Sequence, residues 1–176
     1  MKHLFASLAA LLALGLCSCQ QQQQQAQAQY TPTVVYHEGY TARLLPNGQA
    51  SIPKKAPERI KRIIRAANKI VRKPYRSGGG HRSHHDSAYD CSGATAFALR
   101  EAGLIGNRYP TSGDFMRWGR AGYGKWLTVY VKRGHVFLTV AGLRFDTTGS
   151  GRGIGPRWYN TPRPCRGFYV RRAPGL

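Results

Sequence analysis

Cys91 stands in Tyr89-Asp90-Cys91-Ser92-Gly93, after a polar, glycine-rich approach and before an alanine-rich run that closes at Gly103. Asp caps helices and Gly stops them, so the spacing predicts a helix with Cys91 in or just before its first turn. Free N–H groups and the positive end of the helix dipole meet there, and both favour a thiolate. A free thiol titrates near ~8.5 and is mostly protonated at neutral pH, so this placement helps make a usable nucleophile. A small buried cysteine is the inert alternative; Gly78, Gly79 and Gly80 argue for an open site instead.

A thiol nucleophile needs a base, and His135 is the candidate, opening a β-patterned run after Gly134. His135-Val-Phe-Leu-Thr-Val140 and Leu143-Arg-Phe-Asp-Thr147 alternate around Ala141-Gly142. With a two-residue turn there, Phe137 faces Asp146 and His135 faces Thr148, which makes Asp146 a diagonal neighbour of His135 on one face. Asp146 can then accept from one ring nitrogen while the other takes the Cys91 proton, the nucleophile, base and orienter set of thiol hydrolases. A three-residue turn brings Thr147 round instead.

The elements that must position these residues follow from periodicity. Pro57 opens a helix whose Ile60, Ile63, Ile64, Ala67, Ile70 and Val71 form one apolar stripe, with Lys61, Arg62, Arg65, Lys69 and Arg72 opposite. Pro74 ends it. Ala94, Phe97, Ala98 and Ala102 give the second helix its face. Asn107 to Tyr123 is loop-like, and Trp118 and Trp126 either wall a groove or pack in the core. Then the period becomes two, in strands Leu127–Val131, His135–Val140 and Leu143–Thr147, with Phe168-Tyr-Val170 as an added edge strand. Helices first and strands after predict an α+β domain, N-terminal helices packed on an antiparallel sheet.

Taken together, Pro74-Tyr75, Gly78-Gly79-Gly80, Tyr89-Asp90-Cys91-Ser92-Gly93 and the distant Gly134-His135 closely resemble the NlpC-type cell-wall cysteine peptidases, a papain-like group. The resemblance covers about Pro57 to Val140. It implies a papain-like fold, no cofactor, and cleavage of amide bonds in peptidoglycan stem peptides, with Cys91 as nucleophile and His135 as base. The family has a His or another polar residue near the third position, where this chain has Asp146. By the same resemblance Asp90 and Ser92 hold the stem peptide's free amine and Tyr89 lines the pocket. A related amidase or transpeptidase on the same polymer, and a catalytically silent wall-binding module, are the rival readings.

His81, His84, His85 and Asp86 include zinc-type ligands, but their irregular spacing in a loop points to a polar insertion beside the cleft, His81 nearest to it. No metal is expected.

The chain divides at 1–18, 19–29, 30–56 and 57–176. Residues 1–18 carry Lys2 and His3 before an apolar run, Leu4 to Leu16, too short for a permanent bilayer span and suited to a secretory signal. Leu16-Cys17-Ser18-Cys19 resembles a bacterial lipobox with Cys19 as the acylated residue; Cys17 and plain secretion are the alternatives. Residues 19–29 form a Gln-rich tether without an apolar face. Residues 30–56 form an extension, with a hairpin predicted around Pro46-Asn47-Gly48. About 120 residues remain for a single domain. If Cys19 is acylated, Cys91 and Cys165 are the cysteines left; both are expected unpaired, since pairing would disable the nucleophile.

Lys and Arg number 27 against 7 Asp and Glu, a formal charge of +20. That charge fits an anionic surface, whether wall polymer or lipid headgroup. No nucleic-acid motif accompanies it. The expected location is the cell envelope, anchored to a membrane by lipid.

Overall fold

The computed structural model describes residues 31–148 and 154–176. Helix α1, Glu58–Ile70, starts at Pro57 and buries Ile60, Ile63, Ile64, Ala66, Ala67 and Ile70. Its Arg62, Arg65 and Lys69 stay exposed, so the apolar stripe does the packing and the basic face meets water. Helix α2 is Cys91–Glu101, and every residue from Cys91 to Leu99 is buried. It is a central helix rather than an amphipathic one, which is why small alanines dominate it. At its end Gly103 takes φ 67°. The Gly103 N–H donates to the Arg100 carbonyl and the Leu104 N–H to that of Leu99, so the orphan carbonyls are satisfied.

A third, one-turn helix, α3 (Ser112–Phe115), interrupts the stretch expected to be loop, and the signal missed there is a capping box between Thr111 and Asp114. Six strands follow: β1 (Arg120–Ala121), β2 (Leu127–Lys132), β3 (His135–Val140), β4 (Leu143–Asp146), β5 (Arg157–Tyr159) and β6 (Tyr169–Arg172). They form one antiparallel sheet in the order β1-β6-β2-β3-β4-β5. The tail strand is therefore not at an edge; β6 sits between β1 and β2, and its Val170 opposes Tyr130. The turn before His135 is also one residue shorter than expected, since Lys132 still pairs with His135.

Alternation gives the sheet two apolar faces. Leu127, Val129, Val131, Val136, Leu138, Val140 and Phe145 join the helices in the main core. Tyr130, Phe137, Cys165, Phe168 and Val170 make a smaller cluster on the other side. The architecture is thus α+β, with helices against an antiparallel sheet, as the change of period implied.

The extension packs onto the domain with little regular structure. Its expected hairpin shrinks to one bridge, Leu44 with Ala50. Asn68 of α1 fixes it: its side chain accepts from the Ala50 N–H, donates to the Ala50 carbonyl, and also accepts from the Trp158 indole N–H, at 2.9, 2.9 and 2.8 Å. The expected signal, tether and Cys19 lie outside the described residues. Among those described, no helix is long and apolar enough to cross a membrane.

Candidate active site

The head of α2 is built by a carboxylate and a set of glycines. Asp90 Oδ1 accepts from the Gly93 N–H at 2.7 Å and from the Ser92 hydroxyl at 3.0 Å, while Oδ2 accepts from the Gly78 N–H at 2.9 Å. One side chain thereby caps the helix and ties the glycine loop to it. The loop lies so close that a Cβ on Gly93 would fall 2.0 Å from the Gly79 carbonyl oxygen, and one on Gly80, at φ +80°, would fall 2.6 Å from the Tyr89 ring. Glycine is required at both positions by contact, and at Gly80 by conformation as well.

Cys91 occupies the first helical position, where its N–H has no intrahelical acceptor. It is buried at 9 % exposure. Across from it the Gly134 carbonyl lies 4.0 Å from Sγ, and the thiol is near enough to the His135 ring to help raise the imidazole pKa. The Ala141-Gly142 turn has both residues at positive φ, 47° and 90°, so it is the two-residue type, and Val140 pairs with Leu143. That register carries Asp146 to the expected place: its Oδ1 lies 3.0 Å from His135 Nε2. With Nε2 engaged, Nδ1 is the nitrogen left for the thiol. Thr147 points to the opposite face, buried, its hydroxyl without a partner.

Both carboxylate oxygens of the buried Asp146 are satisfied. Oδ1 also accepts from the Thr148 N–H at 3.0 Å, and Oδ2 accepts from Arg144 Nη1 at 2.7 Å and Arg163 Nη1 at 2.6 Å. Burial alone would raise its pKa, but the His135 bond, the nearby cations and the Thr148 N–H outweigh it and hold the carboxyl well below the usual range. For His135, burial alone would disfavour the imidazolium; the bonds and charges of Asp146 and Cys91 reverse this and push its pKa up from 6.5 to about 9. A thiol, an imidazole and a buried carboxylate in this line can generate a thiolate, attack an acyl carbon, and return a proton to the leaving group.

His81 belongs to the same neighbourhood, its Nε2 lying 3.1 Å from both Asp90 Oδ1 and Ser92 Oγ. The other loop residues diverge. His84 pairs with Glu101 at 2.5 Å, and Asp86 takes Arg76 at 2.7 Å. Tyr89 does not line a pocket: it is 1 % exposed, its ring packs on Phe97, and its hydroxyl accepts from the Asp86 N–H. The tyrosine near the site is Tyr75, a surface residue whose pKa is raised by partial desolvation and by the nearby Cys91 and Asp90. Its place in the Pro-Tyr pair was the available signal. Arg144 and Arg163 had none, being two arginines in a chain rich in them. Trp126 stacks on Tyr40, and Trp118 packs edge-on against Phe115. These tryptophans border cavities of about 580 and 780 Å³, neither of which is lined by Cys91, His135 or Asp146.

No protein-family model matches this chain, and no curated protein matches it.

Proposed function

We propose that the chain is a thiol hydrolase of the NlpC type, with a papain-like fold, that cleaves amide bonds in the peptide stems of peptidoglycan. The observation that carries this reading is the set Cys91, His135 and Asp146: a cysteine at a helix head, near an imidazole whose Nε2 sits 3.0 Å from a buried carboxylate. The ordered motifs around it, from Pro74-Tyr75 to Gly134-His135, supply the substrate class by resemblance.

In this mechanism Cys91 Sγ, its proton taken by His135 Nδ1, attacks the scissile carbonyl, and the Cys91 N–H at the helix head is the donor available to the oxyanion. The imidazolium protonates the leaving amine as the C–N bond breaks. Water, deprotonated by the same ring, then hydrolyses the thioester, freeing the new carboxylate and the thiol. Asp146 keeps Nε2 protonated and the ring aligned. Asp90, Ser92 and His81 form the polar wall suited to a free amine of the stem, and Tyr75 takes the pocket-lining role that the resemblance gives to Tyr89. Cys19 is the proposed lipid anchor, the Gln-rich segment its tether, and an envelope location follows. The +20 charge supports attraction to anionic wall or lipid.

The test is digestion of purified peptidoglycan with mass analysis of the fragments. Stem pieces carrying a new amine and a new carboxylate support the peptidase. Release of whole stems from sugar would indicate an amidase, newly joined stems a transpeptidase, and binding without products a wall-binding module.

A further inference from the structure

One carboxylate, Asp146, holds two guanidiniums, and they are held very differently. Arg144 lies two residues before Asp146 on its own strand, 8 % exposed, with its guanidinium carbon 4.1 Å above the Tyr159 ring. It is the obvious counter-ion for a buried acid. Arg163 arrives from the tail loop between β5 and β6. Its Nη1 donates to Asp146 Oδ2 and to the Thr148 hydroxyl, and its guanidinium carbon lies 4.9 and 5.5 Å from the Phe137 and Phe168 ring centres. Its backbone is clipped too: the Arg163 N–H donates to the Thr31 hydroxyl at 2.9 Å, and the Thr31 N–H donates to the Arg163 carbonyl at 3.0 Å.

Arg163 Nη1 also lies 3.3 Å from His135 Nε2. When Nε2 donates to Asp146, both nitrogens carry hydrogens, so this approach is not a bond. It is a repulsion tolerated because both donors share one carboxylate, and it grows when the imidazole becomes a cation.

We propose that Arg163 is a positioning residue of the Cys91–His135 pair: it braces Asp146 through Oδ2, the oxygen the ring does not engage, and, by facing the imidazole edge, limits how strongly that ring holds a proton. The idea rests on the thiol-hydrolase reading of the same site. A base that must also serve as acid works best when its proton is neither too loosely nor too tightly held. Asp146 and a Cys91 thiolate both tighten it, and Arg163 opposes them. Among the described residues, the charged and titratable groups around His135 are Cys91 from α2, Asp146 and Arg144 from β4, Lys132 from β2, Arg163 from the tail, and Tyr159 beyond Arg144 on β5. Among the described residues, only Arg163 combines direct contact with the ring and an opposing sign.

The experiment compares the full chain with Arg163→Met, Arg163→Gln and Arg163→Lys. It follows the His135 imidazole by NMR across pH (assigned with His135→Gln) and the rate of Cys91 alkylation by iodoacetamide over the same range. Removing the charge should move the His135 midpoint up by about one unit and shift the alkylation profile with it, while Lys keeps the wild-type midpoint. Wall digestion by the Met and Gln variants should fall about tenfold through kcat, with KM little changed. If Arg163→Met does not fold, Arg163→Gln, which retains a donor to Asp146, carries the same readout. An unmoved midpoint in the charge-removing variants, even with lowered thermal stability, would reduce Arg163 to a brace and overturn the proposal; so would Arg163→Lys behaving like Met. Neither titration requires turnover, so an incorrect substrate class would show in the wall digestion alone.

Discussion

Asp146 accepts from a histidine, a backbone N–H and two arginines, and the consequences of altering it differ from those of altering its neighbour. Asp146→Asn keeps the shape but offers a donor toward Nε2 and leaves two guanidiniums short of a charge partner. A comparable change in serine proteases costs ~10⁴ in rate. A cysteine–histidine pair that forms an ion pair leans less on its third member, so the expected loss in kcat/KM on wall peptide is roughly 10 to 10³. Thr147→Ala should be near wild type, because its hydroxyl faces the other way and has no partner to lose. The two thiols should separate as sharply. Cys165 is fully buried, and burial pushes its pKa up to about 11, so iodoacetamide at pH 8 should label Cys91 at least about 10²-fold faster. Equal labelling rates would count against a nucleophilic Cys91. At this scale the alternation of β3 and β4 made Asp146 readable in advance. Tyr89 was misread because adjacency to Cys91 in sequence hid the fact that an extended residue before a helix can turn its ring into the core. Arg163 was invisible because its role depends on where the tail loop returns, which no local pattern encodes.

The element that matters most is the junction of glycine loop and α2. Its tightness makes it testable: Gly93→Ala puts a methyl 2.0 Å from the Gly79 carbonyl oxygen, and backbone must move to relieve that. We expect Gly93→Ala to unfold at markedly lower temperature than wild type and to lose activity with it. Asp90→Ala should be milder for stability, about 1–2 kcal/mol for the lost cap, read from a denaturant midpoint at unchanged slope. A Gly93→Ala variant as stable as wild type would mean the loop does not pack as described. Helix caps and Gly stops were legible for α2 because they are local chemistry. The one-turn helix α3 and the insertion of β6 between β1 and β2 were not: one is too short to show a period, and the other is a choice of partner made at long range.

Across the whole molecule the site couples folding to pH. The His135 pKa rises from 6.5 to about 9 on folding, so the folded state binds the proton more tightly. Its contribution is complete below about 6.5 and is lost as pH climbs through about 9; the sum is on the order of a few kcal/mol. Asp146, depressed on folding, acts with the opposite sign, stabilising above the ordinary carboxylate range and losing that effect only in strong acid. Denaturant unfolding should therefore show stability falling between pH 6.5 and 9 in wild type, and the slope should flatten in His135→Gln. A wild-type profile no steeper than that of His135→Gln would show that the ring is not held as a cation. Fold class was readable at this scale because helices and strands occupy separate halves of the sequence; the second apolar cluster, which seats the tail against His135 and Asp146, was not.

The proposed hydrolase requires that one sulfur, Cys91 Sγ, do the chemistry. Its most direct measurement is the rate at which purified peptidoglycan releases soluble stem fragments, wild type beside a Cys91→Ala variant of matched fold and thermal stability. Wild type should release fragments with new amine and carboxylate ends, and the variant should lose at least about 10³-fold in rate. Fragments released at a similar rate by Cys91→Ala would contradict it.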